Sequence, residues 1–319
     1  MLRLVSLRYF RHAELDFTAW DECVQAASAA VPYAYSWWLR EACGRWDAVI
    51  EVEEATGAYK SLLPLPLKRR PWGYEVFQPA FTQQLGLLLT GTSRFRYIID
   101  YLKVIDKRFA RFYLQLHTGN ELVAAPPGFA LTERRTFHLN LAASYATLAA
   151  GYAPDYRRRL RHNQQLPTPL QVTEAASAKN LMQLFKNQEI AAASGLKTKE
   201  YYCLERLVAT LQTRKQVYIL EVRMPESGEL LAGALFVRQP SVVVYLFAAA
   251  SAAGKKAGAP LLLLDHVIQR HAGTPGLTLD FEGSMIPSIA RFFANFGAAP
   301  VPYGVLTQTR QPWYLQWIR

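Results

Sequence analysis

The sequence predicts an α/β fold: an α+β mixed sheet flanked by helices, laid out twice in tandem. Three observations carry this expectation. Short apolar strands alternate with amphipathic helices, and the same order of elements reads off both halves of the chain. At 319 residues the chain also outgrows a single core and divides into about two domains of ~150 residues.

In the first half, helical periodicity covers Thr18 to Ala29 and Tyr35 to Gly44, and Trp46 to Glu53 pairs with Tyr59 to Leu67 as a hairpin around Thr56 and Gly57. A strand near Gln84 to Leu89, a helix from Arg94 to Lys107 and a strand from Phe109 to His117 follow. Gly119 to Thr136, with Pro126, Pro127 and Gly128, reads as loop. The domain boundary is expected near Leu141 to Ala150, giving domains 1–145 and 146–319. In the second half, helices over Ala178 to Ala193 and Lys199 to Thr213 precede strands Val217 to Val222, Leu230 to Arg238 and Val242 to Ala248. The helix Leu261 to His271, a strand from Leu277, another helix and an extended stretch from Pro302 to Thr309 complete it. Antiparallel strands and one parallel crossover therefore share each sheet. The duplication rests on element order, since no residue-level repeat is visible.

Lys and Arg number 36 against 25 Asp and Glu, a formal net charge of +11. Such a balance favours polyanionic partners: phosphorylated cofactors, RNA, or peripheral contact with an anionic membrane face. Cys23, Cys43 and Cys203 are odd in number and widely spaced, which argues against a disulfide framework or a cysteine metal site and for a reducing cytoplasm. The six histidines form no HxH or HExxH pair, so no metal is expected. The longest apolar run, around Val242 to Ala250, falls far short of the ~20 residues of a membrane span. No G-x-S-x-G elbow is present, which argues against a serine hydrolase.

LTLDFEGSMIPSIARFFANFG, from Leu277 to Gly297, is the most informative segment. Leu277, Leu279 and Phe281 alternate as a strand whose carboxyl end carries Asp280 and Glu282, before Gly283 and the candidate helix cap Ser284. Ligands of open α/β sheets bind beyond strand carboxyl ends, so this turn is a site candidate. The competing role for the two carboxylates is to cap the next helix. A second candidate is the small-residue loop Ser251 to Pro260, where Gly254, Lys255, Lys256, Ala257, Gly258 and Ala259 run into a helix N-terminus suited to a phosphate. The plain alternative is a solvated turn. A third is the run Arg157, Arg158, Arg159, Arg161, His162, preceded by Tyr152 and Tyr156, which reads either as a phosphate-tracking patch with stacking tyrosines or as an ordinary exposed helix. Trp37, Trp38, Trp46 and Trp72 are candidates for an acceptor groove, although aromatic residues at these spacings are mostly core.

The element order, the Lys255 to Pro260 loop and the LDFEGS…FFANFG segment together resemble the GNAT acyltransferase superfamily. Within it they are similar to the double-domain Fem-like branch, the FemABX-type aminoacyl transferases and their acyltransferase relatives. QPAFTQQLG at Gln78 to Gly86 and YAPDYRRRLRHN at Tyr152 to Asn163 add weaker echoes. GNAT enzymes hold a donor pyrophosphate on Q/R-x-x-G-x-G/A; here Lys255 stands first, Gly258 fourth and Pro260 sixth.

The resemblance implies an N-acyltransferase moving an acyl or aminoacyl group to a small-molecule or peptide amine acceptor in the cleft between domains. Its donor would be acyl-CoA (acetyl-CoA) or aminoacyl-tRNA. On this basis Asp280 or Glu282 binds or deprotonates the amine, Tyr245 donates a hydrogen bond, and residues 254–259 hold the donor. Ser284, Arg157, Arg158, Arg161, Phe296 and Tyr303 are candidate substrate contacts. The alternative function is a noncatalytic GNAT-fold module that binds RNA or another polyanion.

Overall fold

A computed structural model describes residues 5–29, 31–71, 73–105, 107–122, 124–188, 195–283 and 285–310. The chain forms two compact units, one of residues 1–134 and 302–319, the other of 135–301.

The first unit builds its sheet from β1 (Val5–Phe10), β2 (Trp46–Glu53), β3 (Tyr59–Arg70), β4 (Gly73–Val76), β6 (Arg111–Gln115) and the C-terminal β13 (Ala299–Thr309), in that spatial order, with β5 (Leu88–Leu89) also on β3. Helices α1 (Phe17–Ala26), α2 (Ser36–Ala42) and α3 (Ile98–Val104) belong to it. Asp16 caps α1, its Oδ1 accepting from the Thr18 and Ala19 N–H groups. Trp20, Trp38 and Trp46 are fully buried in the core. None of them faces an acceptor groove; Trp72 lies outside the described residues.

The second unit runs β8 (Val172–Glu174), β9 (Val217–Arg223), β10 (Leu230–Arg238), β11 (Val242–Ala250), β12 (Thr278–Asp280) and β7 (Ala130–Asn140). Helices α4 (Tyr145–Ala150), α5 (Pro154–Gln165), α6 (Lys179–Lys186), α7 (Thr198–Thr213), α8 (Ala252–Ala257), α9 (Ala259–His271) and α10 (Pro287–Ala294) flank it. Residues 189–194, the end of one expected helix, lie outside the described residues.

Strand pairing repeats between the units. Along each sheet four strands are joined by antiparallel ladders, the next step is parallel (β4 with β6, β11 with β12), and the last is antiparallel. The final strands are exchanged along the sequence: β13 completes the first sheet on β6, and β7 completes the second on β12.

Three expectations change. The units divide at Arg134/Arg135 rather than at 145/146, and residues from Pro302 onward join the first unit. The end of the expected loop is strand β7, in which buried Phe137 and Leu139 alternate with Thr136, His138 and Asn140. The Ser251 to Pro260 loop is largely helical: Ser251 Oγ accepts from the Gly254 N–H and starts α8, which a left-handed Gly258 (φ 83°) separates from α9.

Candidate active site

Three features of the second unit bear on the site. The first is a parting of strands. β11 pairs with β12 only at Val242–Thr278, Val243–Leu279 and Val244–Asp280, after which β12 ends and β11 continues to Ala250. Beside this opening the β10–β11 ladder shifts register, with Phe236 opposite Tyr245 and Leu235 opposite Phe247, so Leu246 is an extra, bulged residue. A bulge re-aims side chains and interrupts pairing, and it commonly lies beside active sites.

The second feature is the acidic turn. Asp280 is buried; its Oδ1 accepts from Thr136 Oγ1 and, at 2.9 Å, from the Glu282 N–H. Its Oδ2 lies 3.4 Å from His138 Nε2, whose side chain remains 27% exposed. Asp280 pairs with His138 across the β12–β7 ladder, and Thr136 lies two residues away on the same face. Glu282 and Gly283 both have left-handed backbones, at φ 56° and 45°. A Cβ on Gly283 would fall 2.1 Å from Arg135 O, so the turn is pressed against β7 and only glycine fits. Tyr245 follows Val244, the partner of Asp280, and so occupies the opposite sheet face, packed on Phe236 and Phe293. Burial raises its phenol pKa well above the ordinary value, so it stays protonated at neutral pH.

The third feature is a groove of about 1170 Å³ between α5 and α8. Arg158, Arg161, His162 and Lys256 give it a basic rim, and Leu166, Leu170 and Met224 an apolar wall. Pro154 starts α5; Tyr156, Leu160 and Asn163 at i, i+4, i+7 face inward, which turns the arginines out. Arg159 ties the helices together, its Nη2 donating to the carbonyls of Lys255 (3.1 Å) and Lys256 (3.2 Å) near the end of α8. Arg158 is exposed and pairs with Asp155.

The expected site residues sort accordingly. Arg158, Arg161, Lys256 and Ala257 line the groove, whereas Arg157, Gly254, Lys255, Gly258 and Ala259 do not. Gly254 serves packing: a Cβ there would meet Leu231 O at 2.0 Å, so the bare backbone faces β10 rather than a phosphate. Ala259 is fully buried. Phe296 is a core residue, fully buried against Tyr152, Tyr156, Phe281 and Phe292, which removes it from ligand contact. The same packing withdraws Tyr152 and Tyr156 from stacking with a base. Tyr303 belongs to the first unit, where its hydroxyl donates to Gln115 Oε1 at 3.1 Å. Ser284 lies outside the described residues. Thr136 and His138 are absent from the expected site, whereas Arg159 and His162 belong to the run read as a phosphate-tracking patch. The alternation Thr136-Phe137-His138-Leu139-Asn140 was the available signal for the first two.

Residues 150–284 match the family model of the acetyltransferase (GNAT) domain. The second unit is a GNAT domain. The whole chain shares its fold with solved tandem GNAT-fold proteins. The crystal structure of FemX matches 91% of this chain with 96% of its own, at TM-score 0.63 and 10% identity. A tandem GNAT protein from the clavulanic acid biosynthesis pathway matches 97% of this chain with 99% of its own, at TM-score 0.54 and 13% identity. The C-terminal domain of a putative lysylphosphatidylglycerol synthetase from Agrobacterium fabrum matches 92% of this chain with 91% of its own, at TM-score 0.53 and 12% identity. A search of curated proteins gave no match.

The first unit treats the corresponding opening differently from the GNAT domain. Between Val76, paired with Phe112, and Leu85, bridged to Leu116, the segment QPAFTQQ leaves the ladder. Its glutamines close the gap: Gln78 Oε1 accepts from the Gln115 N–H (2.9 Å) and Gln84 Oε1 from the Thr118 N–H (3.1 Å). Asn120 exchanges two further bonds with the Leu87 backbone. Backbone donors that an open edge would offer a ligand are thus satisfied internally.

Proposed function

We propose that this chain is an N-acyltransferase that moves an acyl or aminoacyl group from a phosphate-bearing donor to an amine, with the chemistry at the parted strands of the GNAT domain. One observation carries the proposal: α8, which with α5 builds the basic groove, follows directly on β11, the bulged strand whose pairing with β12 stops at Asp280.

Arg158, Arg161, His162 and Lys256 hold the donor phosphates, and Arg159 keeps the two walls at a fixed spacing. The donor carbonyl lies along the open edge of β11, where backbone N–H groups near the Leu246 bulge polarise its oxygen and stabilise the tetrahedral species. The amine nitrogen attacks the carbonyl carbon; a C–N bond forms and the bond to the donor sulfur or oxygen breaks. His138 accepts the amine proton on Nδ1, with Nε2–H turned to Asp280. Asp280, fixed by Thr136 and the Glu282 N–H, sets the orientation of that imidazole, and Glu282 attracts the acceptor as an ammonium ion, which releases one proton to solvent before it attacks as the free amine. The neutral phenol of Tyr245, on the other face, returns a proton to the leaving group.

Acyl-CoA is the donor that suits a groove with a cationic rim and an apolar wall. Aminoacyl-tRNA is a second reading, favoured by exposed Arg157 beyond the groove and by the net charge of +11. Cysteines that form no disulfide among the described residues suit a cytoplasmic setting. Calorimetric titration with acetyl-CoA, CoA, and charged and uncharged tRNA tests the donor. Binding of acetyl-CoA that weakens at least about tenfold in Arg158→Gln/Arg161→Gln is expected. Binding of the tRNAs alone would move the donor assignment to tRNA; binding of none would defeat the transferase proposal.

A further inference from the structure

We infer that a hollow beside α3 in the first unit binds a single-chain amphiphile with an anionic head. The hollow encloses about 350 Å³, at the small end of ligand sites, and Ile99, Leu102, Ile105, Phe109, Phe112 and Phe129 wall it. Its near side is a second apolar face on a short helix. Ile98, Tyr101 and Ile105, at i, i+3, i+7, are buried and form the face that packs inward. Ile99 and Leu102 make a further pair at i, i+3, with Lys103 four residues from Ile99 on the same side. Inward packing does not require Ile99, which remains part-exposed.

The far side is held in place by the protein itself. The Phe129 N–H donates to the Pro126 carbonyl at 3.0 Å, closing a turn, and Gln308 Nε2 donates to the Gly128 carbonyl at 2.9 Å, tying that turn to β13. The Phe129 ring stands edge-on to Phe112, with centroids 5.2 Å apart. Apolar walls held open forgo burial that an alkyl chain would supply, and a preformed wall spares the chain's partner an ordering cost. The polar residues described in the lining are Lys103, Gln308 and Arg310, with no carboxylate among them, which sets the sign of the head group. Lys103, largely exposed, also pairs with Asp100 at 3.2 Å, and Arg310 likewise interacts within the protein. The head therefore meets cations already in use, and the chain carries most of the affinity.

The hollow lies wholly within the first unit and shares no residue with the α5–α8 groove. Its three walls, α3, β6 and the turn at 126–129, admit one chain rather than the flat face of a bilayer, so the source is a free amphiphile. Amphiphile binding here does not depend on the transferase proposal.

The test is calorimetric titration of decanoate, below its micellar concentration, into the full chain in the Arg158→Gln/Arg161→Gln background, which removes the basic groove as a competing site. One decanoate per chain is expected, with decanol weaker, decyltrimethylammonium weaker still and acetate not binding. Ile99→Gln should weaken decanoate about tenfold or more. Lys103→Gln, at an exposed position, should leave folding intact and narrow the preference for decanoate over decanol, which tests the head group should Ile99→Gln disturb the fold. Absence of decanoate binding, insensitivity to Ile99→Gln in a folded chain, an unchanged preference in Lys103→Gln, or equal affinity for decanoate and decyltrimethylammonium would each overturn the inference. Binding to phosphatidylglycerol vesicles but not to monomeric decanoate would make this a membrane face, and a dimer in sedimentation that Ile99→Gln dissociates would give the hollow to a second copy; either result overturns it too. Failure of the transferase proposal shows separately, in the acetyl-CoA and tRNA titrations of the unaltered chain.

Discussion

Asp280 is too well occupied to be the proton acceptor: one oxygen already accepts two hydrogen bonds, and the other faces an imidazole. Both His138→Gln and Asp280→Asn should therefore lower kcat by about 10²-fold or more while leaving the fold and donor affinity intact. Steady-state kinetics with circular dichroism would check this. Full activity in His138→Gln would return the role to a carboxylate. His271 offers a stability test away from the site. Burial, aided by Arg238 and Arg270, holds its pKa down from 6.5 to about 4. Between those values the unfolded chain binds a proton that the folded chain does not. Its contribution is therefore intact above pH 6.5 and is lost as pH falls towards 4. Urea midpoints at pH 7.5 and 5 should fall less in His271→Gln than in the unaltered chain. Asp280 and Glu282 were legible as a candidate site because a strand end running into a Gly turn has a local signature. His138 was not, because its partnership with Asp280 spans residues far apart in sequence.

At the scale of elements, α8 shows why a glycine-rich phosphate loop was the natural expectation and why it changed. The six residues Ala252–Ala257 have weak means of holding a helix alone; the Ser251 cap and the fit of Gly254 onto Leu231 supply what propensity does not. Arg159 then joins α8 to α5. Arg159 is half-buried and its partners are two backbone carbonyls, so Arg159→Met should change global stability by about 1 kcal/mol. It should nonetheless weaken donor binding several-fold by loosening the groove. Chemical denaturation and calorimetry on the same variant separate the two effects; unchanged donor affinity would remove Arg159 from the groove. The weak QPAFTQQLG echo likewise acquires a structural role, since its glutamines pair with strand backbone rather than with ligand.

At the scale of the whole molecule, the exchange of final strands makes the two halves of the sequence incomplete. Residues 1–145 lack β13 and would leave β6 as an open edge; residues 146–319 lack β7, and with it Thr136 and His138. Each half expressed alone should be aggregated or lack a cooperative melt, and a soluble, cooperatively folding 146–319 fragment would contradict the exchange. The sequence by itself determined most of the elements, the doubled plan, the acyltransferase resemblance and the acidic turn, because periodicity, turn residues and short motifs are local. Only the tertiary structure decided which strand completes which sheet, which arginines meet α8, that Phe296 and Tyr156 are core, and that His138 stands against Asp280. Each of those depends on strand register and helix packing between distant segments, where one residue of shift turns a side chain to the opposite face.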